Sequence, residues 1–231
     1  MLCKVLREKM IGIILLDTRF PRLIGDIGNR ETFSFPVLYE KVEGASPVRL
    51  IRERDRTLLP RFIEAARSLI GRGARAITTS CGFLALWQKE IASAVRVPVF
   101  TSSLIQIPWV YEMMGRKGKI GVMTIDAHSL TEDHLKAVHA DSIPLVIHGI
   151  RREGEFYRVF AMDHPDLDYP KAEKEIGEEV SKLTKENPDL TAMILECTNL
   201  SVFKKAIRKE SGIPLFDHLT LMDYVWSSLK E

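Results

Sequence analysis

The sequence predicts an α/β protein of two pseudo-symmetric halves, each a parallel sheet flanked by helices, with a cleft between them. Three observations carry this. Short β-branched runs alternate with helical patterns, as βαβ units do. A chain of 231 residues with 45% hydrophobic and 28% charged content can bury a real core. A segment of the first half also recurs in the second.

The strands are expected at 11–17, 35–42, 74–80, 97–103, 119–125, 143–150, 191–196 and 213–218. Helical periodicity marks 56–71, 83–95, 129–140, 170–186, 200–210 and 219–229, and 104–116 closes the first half with Gly115 and Gly118 at its exit. Residues 18–34, with two glycines and a proline, are the least regular stretch, and long irregular loops in compact domains tend to be functional. The halves divide at 1–115 and 116–216, with a C-terminal helix at about 217–231 expected to pack back on the first.

The repeat is read by placing Cys81 on Cys197, an offset of 116 residues. "AITTSCGFLALWQKEIASAVRVPVF" then lies on "AMILECTNLSVFKKAIRKESGIPLF" without a gap. The 25 positions hold seven identities, among them Leu84/Leu200, Pro98/Pro214 and Phe100/Phe216. "IGIILLD" likewise matches "IGVMTID", ending at Asp17 and Asp126. Each half is therefore flavodoxin-like, with one cysteine at the same strand-to-helix turn. Ligands of open parallel sheets bind at the carboxyl ends of strands, so facing halves bring both thiols to one cleft.

Composition excludes several classes. A net charge of +2 gives no support for nucleic-acid binding, which normally shows a basic face and high charge asymmetry. No apolar run approaches 18 residues, which speaks against a membrane span. The apolar run after the N-terminal charges ends at Asp17 without a small-residue cleavage site, and reads as a first strand rather than a secretory signal. Three cysteines without close pairs form neither a disulfide framework nor a zinc or redox CxxC, and a reducing cytoplasm fits best. Cys3 reads as a small apolar residue.

A thiol acts as base or nucleophile only after losing its proton, and helix N-terminal N–H groups stabilise the anion. Cys81 and Cys197 both stand before predicted helices. Their neighbours Ser80, Gly82, Thr198 and Asn199 offer hydroxyl, amide and backbone groups for a ligand carboxylate. "LECTNL" resembles the second-cysteine motif of the aspartate/glutamate racemase superfamily, which includes amino-acid and hydantoin racemases, maleate isomerases and arylmalonate decarboxylases. The resemblance covers almost the whole chain. It implies that Asp17 and Thr18 in "LLDTRF" lie at the site and that Thr124 in "GVMTIDAHS" lines the ligand pocket. Where many such racemases carry Asn-Thr after the first cysteine, this chain has Gly82 and Phe83: backbone N–H groups for the carboxylate, and a ring bordering an apolar pocket. Asn199 stands where glutamate racemases commonly carry histidine.

The implied activity is a racemase or epimerase, an isomerase needing no cofactor or metal, with Cys81 and Cys197 exchanging a proton on opposite faces of a carbon α to a carboxylate or carbonyl. The expected partner is a small carboxylate, an amino acid or hydantoin-like molecule, with a homo-oligomer left open. Alternatives are a maleate-isomerase or arylmalonate-decarboxylase type reaction, or an inactive small-molecule binder. Arg19, Arg22 and Asn29 are candidates for an anion clamp. His134 and His139 read as surface residues, and Ser129 as a helix cap.

Overall fold

The computed structural model describes residues 9–229, so Cys3 lies outside the described residues. Two four-stranded sheets form, every pairing parallel. The first has the order β2-β1-β3-β4, from β1 (Met10–Leu16), β2 (Val37–Val42), β3 (Ala74–Thr79) and β4 (Val99–Phe100). The second repeats it as β6-β5-β7-β8, from β5 (Lys119–Thr124), β6 (Leu145–Gly149), β7 (Leu190–Leu195) and β8 (Leu215–Phe216). The repeat extends to a defect: the register slips between Met10 and Ile11 on β3, and between Lys119 and Ile120 on β7.

Alternation along β1 shows how its sheet is covered. Ile14 and Leu16 join the main core with Phe62, Ala66 and Leu69 of α1 (Leu59–Gly71). Ile11 and Ile13 point to the other face, where Leu221 and Met222 of α8 (His218–Leu229) cover them and Phe35 stacks on Trp226 at 4.8 Å. The helix that ends the chain thus packs on the first sheet. Reciprocally, the turn after β4 packs on β7, where the Ser103 hydroxyl donates to the Leu195 carbonyl at 2.6 Å. This exchange ties the halves together and closes the floor between the strand ends.

The helices expected from 83 and 200 open differently. A tight 3-10 turn runs first, Gly82–Trp87 and Thr198–Phe203, and only then α2 (Gln88–Ser93) and α7 (Lys204–Ser211). The turns are buried on nearly every side, so no polar stripe marks their period. β4 and β8 are shorter than expected. Ser102 leaves the sheet at once, its hydroxyl accepting from Leu104 N–H to cap the next turn. The helix expected at 129–140 is α4 (Glu132–Ala137), and Thr131 rather than Ser129 is its N-cap. Three elements have no counterpart in the sequence reading, a 3-10 turn at Arg30–Thr32, a π-helical turn at Val48–Arg52 and α5 (Glu155–Phe160); all are too short to show a period. Among the described residues no helix is long and apolar enough to cross a membrane.

Candidate active site

β3 and β7 stop at the same point relative to their neighbours. Ser80 N–H donates to the Ile14 carbonyl and Glu196 N–H to that of Met123, as the last rungs of each ladder. The next residue is a cysteine in extended backbone, φ −146° at Cys81 and −71° at Cys197, and its carbonyl starts the 3-10 turn by accepting from Leu84 or Leu200 N–H. This conformation turns each sulfur toward the turn's first N–H groups: Phe83 and Leu84 for Cys81, Asn199 and Leu200 for Cys197.

Both cysteines line one cavity between the halves, with Ser80, Gly82, Phe83, Thr198 and Asn199. The remaining wall is apolar, chiefly Phe20, Ile51, Ile125 and Phe160, and one more polar residue, Glu196, completes it. Phe20 and Phe160 meet edge to face across the halves at 5.1 Å. Free space at the centre is only about 30 Å³, so a substrate of several heavy atoms enters as these side chains part. No Lys, Arg or His is among the described residues that line it.

Several expected ligand groups are already engaged with the protein. The Thr198 hydroxyl donates to the Ser80 carbonyl at 2.9 Å, pinning the two turns together, and the Ser80 hydroxyl accepts from Leu16 N–H. Asn199 gives its amide to buried Asp26 at 2.6 Å, which fixes the amide's orientation and leaves Oδ1 facing the Cys197 thiol at 3.7 Å. Asp26 in turn is held by Arg22 at 2.9 Å. The irregular loop thereby reaches the site through a chain from Arg22 to Cys197.

Asp17, Thr18 and Thr124 do not line the cavity. Asp17 binds Lys41 at 2.9 Å and Gly44 N–H at 3.0 Å, Thr18 accepts from Arg22, and Thr124 stands behind Glu196, donating to its Oε2 at 2.6 Å. The anion clamp is not formed either: Arg19 is bound to Asp163, and Asn29 gives its amide to the Arg22 carbonyl. His134 is fully buried, packed edge-on against Phe83 at 5.3 Å, not at the surface. Among the described residues no three His, Cys, Asp or Glu side chains gather where a metal ion could be held.

Burial sets the electrostatics. It pushes the Cys81 thiol up to about 12 and the Cys197 thiol well above its ordinary value; the nearby Glu196 carboxyl adds to both, and turn N–H groups work in the opposite direction. Arg22 lowers Cys81, whereas Cys81 itself raises Cys197. Glu196 is raised to about 8 by burial, with only Thr124 opposing. A protonated Glu196 carries no charge, and its repulsion of either thiolate then vanishes.

No family model matches the chain. Among solved structures, a glutamate racemase from Bacillus anthracis superposes with a TM-score of 0.64 at 18% identity, over 96% of this chain and 81% of its own. An arylmalonate decarboxylase gives 0.62 at 14%, over 95% and 92%. The chain shares the fold of these two proteins, paired parallel sheets flanked by helices. Curated proteins similar to this chain in sequence carry a different activity. A dimethylsulfoniopropionate lyase from Durusdinium sp. clade D is 28% identical over 226 residues, 95% of this chain and 74% of the relative. Dimethylsulfoniopropionate lyases 7 and 3 of Emiliania huxleyi are each 29% identical, over 91% and 96% of this chain and 64% and 60% of their own lengths. The expected isomerase, a racemase of amino acids or hydantoins, is therefore corrected: on this racemase fold the relatives are lyases.

Proposed function

We propose that this chain is a carbon–sulfur lyase cleaving dimethylsulfoniopropionate, or a close sulfonium carboxylate, with Cys81 as the base. The observation that carries the reading is the cavity wall. Phe20, Phe83 and Phe160 surround two thiols, with no cationic side chain among the described lining residues. Such a wall attracts a sulfonium cation as aromatic cages attract quaternary ammonium.

Elimination requires one proton to leave the carbon α to the carboxylate while the bond from the β carbon to sulfur breaks. The Cys81 thiolate takes the proton, the C–H electron pair forms the double bond, and the C–S pair leaves with neutral dimethyl sulfide. Acrylate remains. Because the leaving group is neutral it needs no acid, so one thiol performs the chemistry that racemisation divides between two. The substrate helps to prepare its base: a cation a few ångströms from a buried thiol favours the thiolate, and the thiol's proton passes to solvent while the wall is parted, the one proton released per turnover. Cys197, its sulfur facing Asn199 Oδ1, stays a thiol and closes the opposite side of the cavity.

Headspace gas chromatography for dimethyl sulfide, with proton NMR for acrylate, tests the reading on protein given dimethylsulfoniopropionate. Equal amounts of both products, ended by thiol alkylation, are expected. Absence of both sinks the lyase.

A further inference from the structure

Apart from the two thiols, Glu196 is the ionisable side chain among the described residues lining the cavity, and the proton transfer just described does not use it. It is wholly enclosed and forms no ion pair among the described residues. Oε2 accepts the Thr124 hydroxyl, whereas Oε1 has no hydrogen-bond partner among them. The carboxyl lies in the space beside Gly82: a Cβ built on Gly82 would come too close to both Oε1 and the Glu196 carbonyl. The glycine after the first cysteine is thus the complement of the glutamate before the second. Native proteins seldom leave a buried carboxyl oxygen unpaired, because the missing bond costs the full desolvation of that group.

We propose that Glu196 is a catalytic acid of this site and binds the substrate's carboxylate, with Oε1 as the donor. Thr124 already donates to Oε2, so the acidic proton falls on Oε1. The cavity wall offers no cation to a carboxylate, and an O–H donor supplies what the wall lacks. The ligand class is a short aliphatic monocarboxylate; that its β carbon bears a sulfonium rests on the lyase reading. As the α proton leaves, charge moves onto the carboxylate, and a donor already aimed there strengthens its bond in the transition state. The proton stays on Oε1 when the product departs, so the acid is not consumed. The groups facing the carboxyl are Thr124 from the end of β5, Gly82 and Cys81 from the first turn, and Cys197 beside it. Burial holds Glu196 protonated up to about pH 8 and keeps both thiols neutral in the resting site.

Propionate, which carries the carboxylate but no leaving group, is the probe. Calorimetric titration of the whole protein between pH 6 and 9.5 is expected to show binding that weakens about tenfold per unit above pH 8, as the ionised glutamate repels it. Glu196→Gln keeps a donor and does not titrate, so it should bind without that fall; Glu196→Ala should bind about 10- to 100-fold more weakly at pH 6. Thr124→Val removes the bond that favours the anion and should move the fall to higher pH. Thermal unfolding identifies folded variants, and if Glu196→Ala does not fold, the two isosteric ones carry the test. Wild-type protein that takes no propionate, or profiles identical in wild type and Glu196→Gln, overturn the proposal. Dimethyl sulfide release, measured in parallel, separates the two ideas. The expected propionate pattern without release sinks the lyase and keeps Glu196, whereas release with an unchanged profile does the reverse.

Discussion

Cys81 and Cys197 hold equivalent turns in unequal fields. Each sulfur faces two turn N–H groups, and burial raises each. Arg22 favours the Cys81 anion alone, while the Cys197 sulfur faces an amide oxygen that Asp26 keeps in place, an acceptor that suits S–H and not S⁻. Cys81 therefore ionises first. Cys81→Ser, whose hydroxyl is a far weaker acid, is expected to lower kcat for acrylate release by about 100- to 10,000-fold. Cys197→Ser keeps a donor for Asn199 and should stay within about tenfold of wild type, the scale of one hydrogen bond. Initial rates of the two variants decide the point: losses of equal size would remove the division of roles.

At the scale of elements, the internal repeat explains how much of the site was legible. Aligning two cysteines locates β3 with β7, the two 3-10 turns, and the starts of α2 and α7, all separated by 116 residues. The pattern is readable because both copies solve one problem, ending a buried parallel strand beneath a thiol. What the repeat does not contain was not legible. Phe20 comes from the irregular loop and Phe160 from a helix of six residues, and neither carries a period. For Asp17 and Thr18 a motif gives a position along the chain but not the Lys41 and Arg22 that engage their side chains outside the cavity lining. Glu196 left one signal, an acidic residue closing the apolar run "TAMILE" where Ser80 stands in the first copy. The exchange of α8 onto the first sheet yields its own expectation. Met222 is fully buried there among Ile11, Ile13 and Phe100 and does not line the cavity. Met222→Ala should cost about 3 kcal/mol in urea unfolding, with activity per folded molecule unchanged. A cost near zero would mean that α8 adds little to the first half.

For the whole molecule, three buried groups give stability a pH dependence with opposing limbs. His134 and His218 are enclosed, and burial lowers both to about 4 from 6.5. Between these values the unfolded chain takes up protons that the folded chain refuses, so stability falls as pH drops from about 6.5 to 4. For His218, whose Nε2 meets the Thr78 hydroxyl, this amounts to about 3 kcal/mol. Glu196 works in the other direction. Its folded value of about 8 exceeds the ordinary 4.5, so the unfolded chain releases a proton that the folded chain keeps. Its contribution declines as pH rises from 4.5 to 8, by roughly 5 kcal/mol at most. With two histidines against one glutamate below pH 6.5, and the glutamate alone above it, the maximum is expected near pH 6.5. Glu196→Gln removes the alkaline limb and should gain Tm relative to wild type between pH 6.5 and 8, the interval in which Glu196 remains protonated in the folded protein. Melting curves of the two proteins from pH 4 to 9 make the comparison. Curves that run parallel from pH 6.5 to 8 would show that the folded protein does not hold the Glu196 proton, and a catalytic acid at this position would lose its basis.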